Sequence, residues 1–141
     1  MKRDGNMSAE KEMQKRTQNL TDRARKTREG RFNEWDYLIK TDPEMFEAYQ
    51  NVYEKGLLPG KELPTKYREL ICMAILAFRG SREGVISHGL RAHRLGATKQ
   101  EVLEAAETTI IPGGAPTFRT YLAAVEAIEE EDKKASALKK T

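Results

Sequence analysis

From Thr41 onward, apolar residues recur every three to four positions and are interrupted by Gly and Pro rather than by polar alternation. That is the period of helices, not strands. Thr41-Asp42-Pro43-Glu44 reads as a helix start, with a capping residue, an early Pro and early acidic charge. It predicts a helix over 43–55, closed by Gly56. After a loop from Gly60 to Pro64, the segment from Tyr67 to Phe78 is apolar around nearly its whole circumference. Such a helix must be buried on most sides, and in so short a chain a second copy can supply part of the cover. Gly80 is placed to terminate it.

The next helix, over 82–95, puts Val85, Ile86, Gly89, Leu90, Ala92 and Leu95 on an apolar arc, with Ser87, Arg91 and Arg94 opposite. Gly96 ends it. Thr98-Lys99-Gln100-Glu101 is a capping box opening a helix that carries Val102, Leu103, Ala105, Ala106 and Ile110. Pro112-Gly113-Gly114-Ala115-Pro116 breaks the chain, and Phe118, Tyr121, Leu122, Val125 and Ile128 return to helical spacing. The expected fold class is all-α, a compact helical domain, with no internal repeat.

Length and charge divide this picture. The chain has 141 residues, 38% hydrophobic and 33% charged, polar enough to imply one core diluted by extensions. Residues 1–31 hold ten Lys or Arg against five Asp or Glu, and the remainder holds fifteen against seventeen. We therefore expect a basic polar N-terminal arm over 1–31, a helical domain over 32–130 and a frayed charged tail over 131–141. The arm interleaves its bases with acids and lacks aromatic residues, so nucleic-acid binding is not expected. No apolar run is long enough to span a bilayer and no secretory signal is present, which makes the cytoplasm the expected location. Cys72 is the only cysteine. It excludes an intrachain disulfide and a Cys-x-x-Cys redox centre.

Candidate chemistry centres on Glu69, near the start of one apolar helix, and His88, on the inward side of the next. A carboxylate and an imidazole brought together there form a proton-transfer pair. His93 also faces inward, where packing accounts for it. Cys72 lies one turn after Glu69 and is expected to be a structural thiol that can line the same pocket. Arg68 points about 100° away from Glu69, toward an anionic substrate or a neighbouring subunit. No metal site is expected, because two His five residues apart on one helix do not converge on one ion.

The run Arg68-Glu69-Leu70, then His88, then Gly96 with a capped helix, then Gly114-Ala115-Pro116, resembles the carboxymuconolactone decarboxylase family, which includes the alkylhydroperoxidase D-like proteins. The resemblance covers roughly residues 42–130. In the family's peroxidase branch a Glu, a Cys-x-x-Cys and a His four residues later work as a proton relay around a redox dithiol. Here Glu69 and His88 match the Glu and His, but the cysteine positions fall on Ser81 and Gly84. The chain is thus similar to the decarboxylase branch, which lacks the dithiol. It departs from that branch in having Pro112 where a Tyr usually precedes the Gly-x-Pro turn.

The resemblance implies an alkylhydroperoxidase D-like helical subunit assembled as a homo-oligomer, trimer or hexamer, with active sites near subunit contacts. It implies a cofactor-independent decarboxylase acting on a small anionic metabolite such as a lactone acid, with His88 and Glu69 catalytic and Arg68, Cys72 and His93 as candidate substrate-binding residues. Two alternatives stay open: a lactone or enol hydrolase or isomerase on the same scaffold, and a non-catalytic helical oligomeric binding protein.

Overall fold

The computed structural model describes residues 2–28 and 33–139, and among these every regular element is a helix. The chain divides into two compact units, residues 1–58 and 59–141.

The first unit contains α1 (Lys2–Arg28), α2 (Asn33–Thr41) and α3 (Pro43–Leu57), each packed on the other two. Most of the expected basic arm is thus one long helix. Its few apolar residues explain the docking: Leu20 and Ala24 of α1 meet Ile39 of α2 and Phe46 of α3 in a small core, with Trp35 and Leu38 against it. Around that core the bases of α1 meet acids of α3. Arg16 Nη2 lies 2.6 Å from Glu47 Oε2 and Arg23 Nη2 lies 2.8 Å from Glu54 Oε2. Partly exposed pairs of this kind orient the helices more than they stabilise them. Buried Arg28 goes deeper. Its guanidinium carbon lies 4.0, 4.8 and 4.9 Å from the ring centroids of Tyr53, Tyr49 and Trp35, and its Nε donates to Gln50 Oε1 at 3.1 Å. Guanidinium–aromatic contacts of this kind help to hold a buried cation, and the Glu54 charge acts on it as well.

The start of α3 is as expected: the Asp42 carboxylate accepts from Met45 N at 3.0 Å and Pro43 stands in the first turn. The helix does not close at Gly56 but runs to Leu57. Leu58 then turns extended, at φ −72° and ψ 161°, because the following Pro59 clashes with a helical residue before it.

The second unit contains α4 (Thr65–Phe78), α5 (Arg82–Arg94), α6 (Lys99–Gly113) and α7 (Ala115–Leu138). Its core gathers Leu70, Met73 and Ala77 of α4, Val85 and Ala92 of α5, Val102 and Ala106 of α6, and Tyr121, Ala124 and Ile128 of α7. Gly89 allows α5 to approach α7: a Cβ there would lie 2.8 Å from Ala124 Cβ and 3.1 Å from Met73 Sδ. The buried Tyr121 hydroxyl donates to the Val102 carbonyl, and burial pushes its pKa above the ordinary phenol value.

The capping box forms as read: Glu101 N donates to Thr98 Oγ1 at 3.0 Å and Thr98 N to Glu101 Oε2 at 2.8 Å. Gly80 and Gly96 follow α4 and α5 at φ of +72° and +94°, where a side chain would strain the backbone. The breaker cluster acts at one point. Pro112 is accommodated in the last turn of α6, and Gly114 alone, at φ +70°, redirects the chain. Helix α7 then continues through the segment expected to fray, as far as Leu138.

Helix α4 is buried along one stripe only. Within the chain Tyr67, Ile71, Ile75 and Phe78 lie on its open side, Ile75 and Phe78 more than half exposed at 55% and 56%. Among the described residues no helix is long and apolar enough to cross a membrane.

Candidate active site

Two neighbouring helices of the second unit bring the site together. On α4, Glu69 belongs to the stripe that also carries Leu70, Met73 and Ala77, so its carboxylate is turned inward and the residue is only 2% exposed. A carboxylate so far from water needs partners, and α5 supplies both. His88 Nδ1 lies 2.6 Å from Glu69 Oε2, and Arg91 Nη2 donates to the same oxygen at 3.1 Å. The Arg91 nitrogen is also 2.9 Å from His88 Nδ1 and 3.5 Å from Nε2. Two groups, an imidazole and a guanidinium, therefore converge on one carboxylate oxygen.

Arg91 is the member that the helical wheel hides. Placed by angle alone it falls with Ser87 and Arg94, opposite the apolar arc. Yet it is 6% exposed, because it sits one turn from His88, about 60° around the helix, and its long side chain reaches back to Glu69. A cation at three residues from His88, facing a buried acid on the preceding helix, was the available signal.

The contact chemistry distinguishes the two nitrogens of His88. A distance of 2.6 Å between a carboxylate oxygen and Nδ1 requires one proton between them. With that proton on Nδ1, Oε2 accepts from both the imidazole and Arg91, and Nε2 is left as the basic nitrogen. The side chain of His88 is 16% exposed, so the ring is not sealed from solvent.

The other expected site residues lie elsewhere. Arg68 turns to the preceding loop, where Nε donates to the Leu63 carbonyl at 3.0 Å and Nη2 to Thr65 Oγ1 at 3.1 Å. His93 ties the end of α5 to α7, with Nδ1 2.9 Å from the Ala97 carbonyl and Nε2 3.1 Å from Asp132 Oδ1. An open depression of about 520 Å³ lies beside it, lined by Lys99, Glu129, Asp132, Lys133, Ser136 and Ala137, and neither Glu69 nor His88 borders it. Cys72 is partly buried one turn after Glu69. Burial raises its thiol pKa, and the Glu69 charge raises it further against a smaller opposing effect of Arg68. Among the described residues, no three His, Cys, Asp or Glu side chains converge as a metal ion would require.

The model of the carboxymuconolactone decarboxylase family matches residues 43–127, which takes in all of Glu69, His88 and Arg91. The chain belongs to the carboxymuconolactone decarboxylase family. A solved structure supports the same relationship: a candidate carboxymuconolactone decarboxylase from Burkholderia xenovorans LB400 superposes with a TM-score of 0.78 at 26% identity, covering 89% of this chain and 97% of that one. No curated protein matches the sequence.

Within this carboxymuconolactone decarboxylase family member, the positions aligned with the peroxidase-branch dithiol are neighbours in space. A Cβ built at Gly84 would stand 2.9 Å from Ser81 Oγ. Neither position carries sulfur, and the single thiol, Cys72, has a raised pKa. Disulfide-coupled reduction of alkyl hydroperoxides is therefore expected to be absent, and Cys72→Ser to leave turnover unchanged. Hydroperoxide turnover with a dithiol reductant, abolished by Cys72→Ser, would contradict this.

Proposed function

We propose that this chain is a cofactor-independent, decarboxylase-like enzyme acting on a small anionic metabolite such as a lactone acid, with His88 and Glu69 as its acid–base pair. The observation that supports it is the 2.6 Å contact between a carboxylate withdrawn from water and an imidazole that keeps some exposure. Glu69 accepts the Nδ1 proton and holds the ring, and Nε2 exchanges protons with the substrate. In decarboxylation, the bond between the carboxylate and its carbon breaks, and its electron pair moves into the carbonyl or alkene conjugated to that carbon. Carbon dioxide leaves, and an enolate or dienolate remains. The imidazolium form of His88 then gives its Nε2 proton to carbon and is recharged from water. The substrate carries its own electron sink, so acid–base residues suffice for this reaction.

The enzyme is proposed to work as a homo-oligomer, a trimer or hexamer. The open side of α4, with Tyr67, Ile71, Ile75 and Phe78, is an apolar stripe of the kind that subunit contacts cover. Light scattering at micromolar concentration is expected to give a mass several times the 16.1 kDa subunit, and Ile75→Glu to shift it toward the monomer. A stable monomer in the unaltered protein would contradict the assembly.

Release of carbon dioxide from carboxymuconolactone and related lactone and β-keto acids tests the reaction itself. Conversion to a product that retains the carboxylate would instead establish a hydrolase or isomerase using the same pair.

A further inference from the structure

Beyond Ile128, the last core residue of α7, the helix continues to Leu138 with no buried residue in that stretch. Apolar burial therefore does not hold it down, and two ion pairs tie it to the end of α5: Arg94 with Glu131 and His93 with Asp132. We infer that His93 is a proton-operated clasp, which in its imidazolium form fastens the end of α7 to the end of α5 and releases it when the second ring proton leaves. The clasp is independent of the chemistry assigned to His88.

Both ring nitrogens of His93 are engaged. Nδ1 lies 2.9 Å from the Ala97 carbonyl oxygen and Nε2 lies 3.1 Å from Asp132 Oδ1. A carbonyl oxygen only accepts, and so does an ionised carboxylate. A neutral imidazole carries one N–H, so in either tautomer it meets one of these partners with a lone pair. Only the imidazolium makes both bonds.

The surroundings decide which bond is lost. Ala97 is 2% exposed and its own N–H donates to the Ala92 carbonyl at 2.9 Å, so its carbonyl is fixed. The Asp132 side chain is 47% exposed beside the open depression and can turn to water instead. Other charges near the clasp come from every helix of the unit. Glu129 and Lys133 of α7 and Lys99 of α6 border the same depression, and Lys66 of α4 pairs with Glu101 of α6 at 2.9 Å. The Arg94 hydrogen bond holds the Glu131 carboxyl below its ordinary value, and the His93 charge acts in the same direction. Of these side-chain types only histidine ordinarily changes charge between about pH 5 and pH 8.

The sign follows from proton counting. Where a free imidazole is neutral, the clasped form holds one proton more than the open form, so docking weakens as pH rises above the ordinary histidine value of about 6.5. Below it both forms carry the proton, and the clasp is fully present.

NMR-detected amide exchange over residues 129–138, each rate divided by that of the same unstructured sequence, reads the docking directly. Protection is expected to fall by about two- to fivefold between about pH 6 and pH 8, the worth of one partly exposed ion pair. His93→Gln, which removes the titrating ring, is expected to abolish this dependence. Asp132→Asn is expected to flatten it for another reason: an amide can donate to a bare Nε2 as well as accept from Nε2–H. Equal protection at the two pH values in the unaltered protein would overturn the proposal, and that measurement needs no variant. A dependence that persists in either variant would overturn it too, since the titrating group would then lie elsewhere.

Discussion

Replacing His88 with alanine is expected to lower turnover by about 100-fold or more with the helical fold retained. The size follows from the step removed. Without the imidazole, no residue at the pair can pass a proton to carbon, and reprotonation falls to water. Glu69→Gln should cost a comparable factor for a different reason: the amide still fills the site but presents no charge to Arg91 and a weaker acceptor to Nδ1, so the ring loses its fixed tautomer. His93→Ala should cost far less. Its ring bonds the Ala97 carbonyl and Asp132 at the far end of α5, so its loss loosens a helix end without touching the pair. Steady-state kinetics of the three variants, with circular dichroism to verify the fold, checks the ranking. Equal losses in His88→Ala and His93→Ala would indicate a general structural effect.

Phe46→Ala is expected to destabilise the first unit by about 3–5 kcal/mol, the usual cost of deleting a fully buried aromatic ring. Phe46 is completely buried among Leu20, Ala24 and Ile39, and so few residues cannot collapse to fill the space it leaves. This loss is a large share of the ~5–15 kcal/mol that holds a typical domain. Trp35 is the only tryptophan and its ring centroid lies 5.9 Å from that of Phe46, so its fluorescence reports on this unit. The fluorescence-detected urea midpoint should fall sharply. An unchanged midpoint would mean that α1 is not held on α3 by this core.

Helical periodicity carried most of the fold because α3 to α7 each bury an apolar stripe or begin at a capping signal. It carried less where helices rely on other forces. Helix α2, nine residues with Trp35, Leu38 and Ile39 on its packed side, is shorter than the window over which a helical period is read. Helix α1 and the end of α7 are rich in Ala, Glu, Lys and Arg, which favour helix without an apolar pattern. Around α4 the apolar count was right, yet it could not say that one side faces away from the core of its own chain.

At the site, the pairing of Glu69 with His88 followed from their positions on adjacent helices and from the family pattern. Arg91 did not, because angular placement ignores side-chain reach, and a buried arginine is recognised only once its acid partner is located. Arg68 illustrates the converse. Adjacency to Glu69 in sequence put a cation in view, but helix geometry turned it toward the loop at Leu63.

The most direct measurement is turnover of ¹³C-carboxyl-labelled lactone and β-keto acids in D₂O, comparing the unaltered protein with His88→Ala. The account predicts labelled carbon dioxide from at least one of these acids, one deuterium on the carbon that lost it, and loss of both signals in the variant. Carbon dioxide released equally by His88→Ala, or by neither protein from any of the acids, would contradict it.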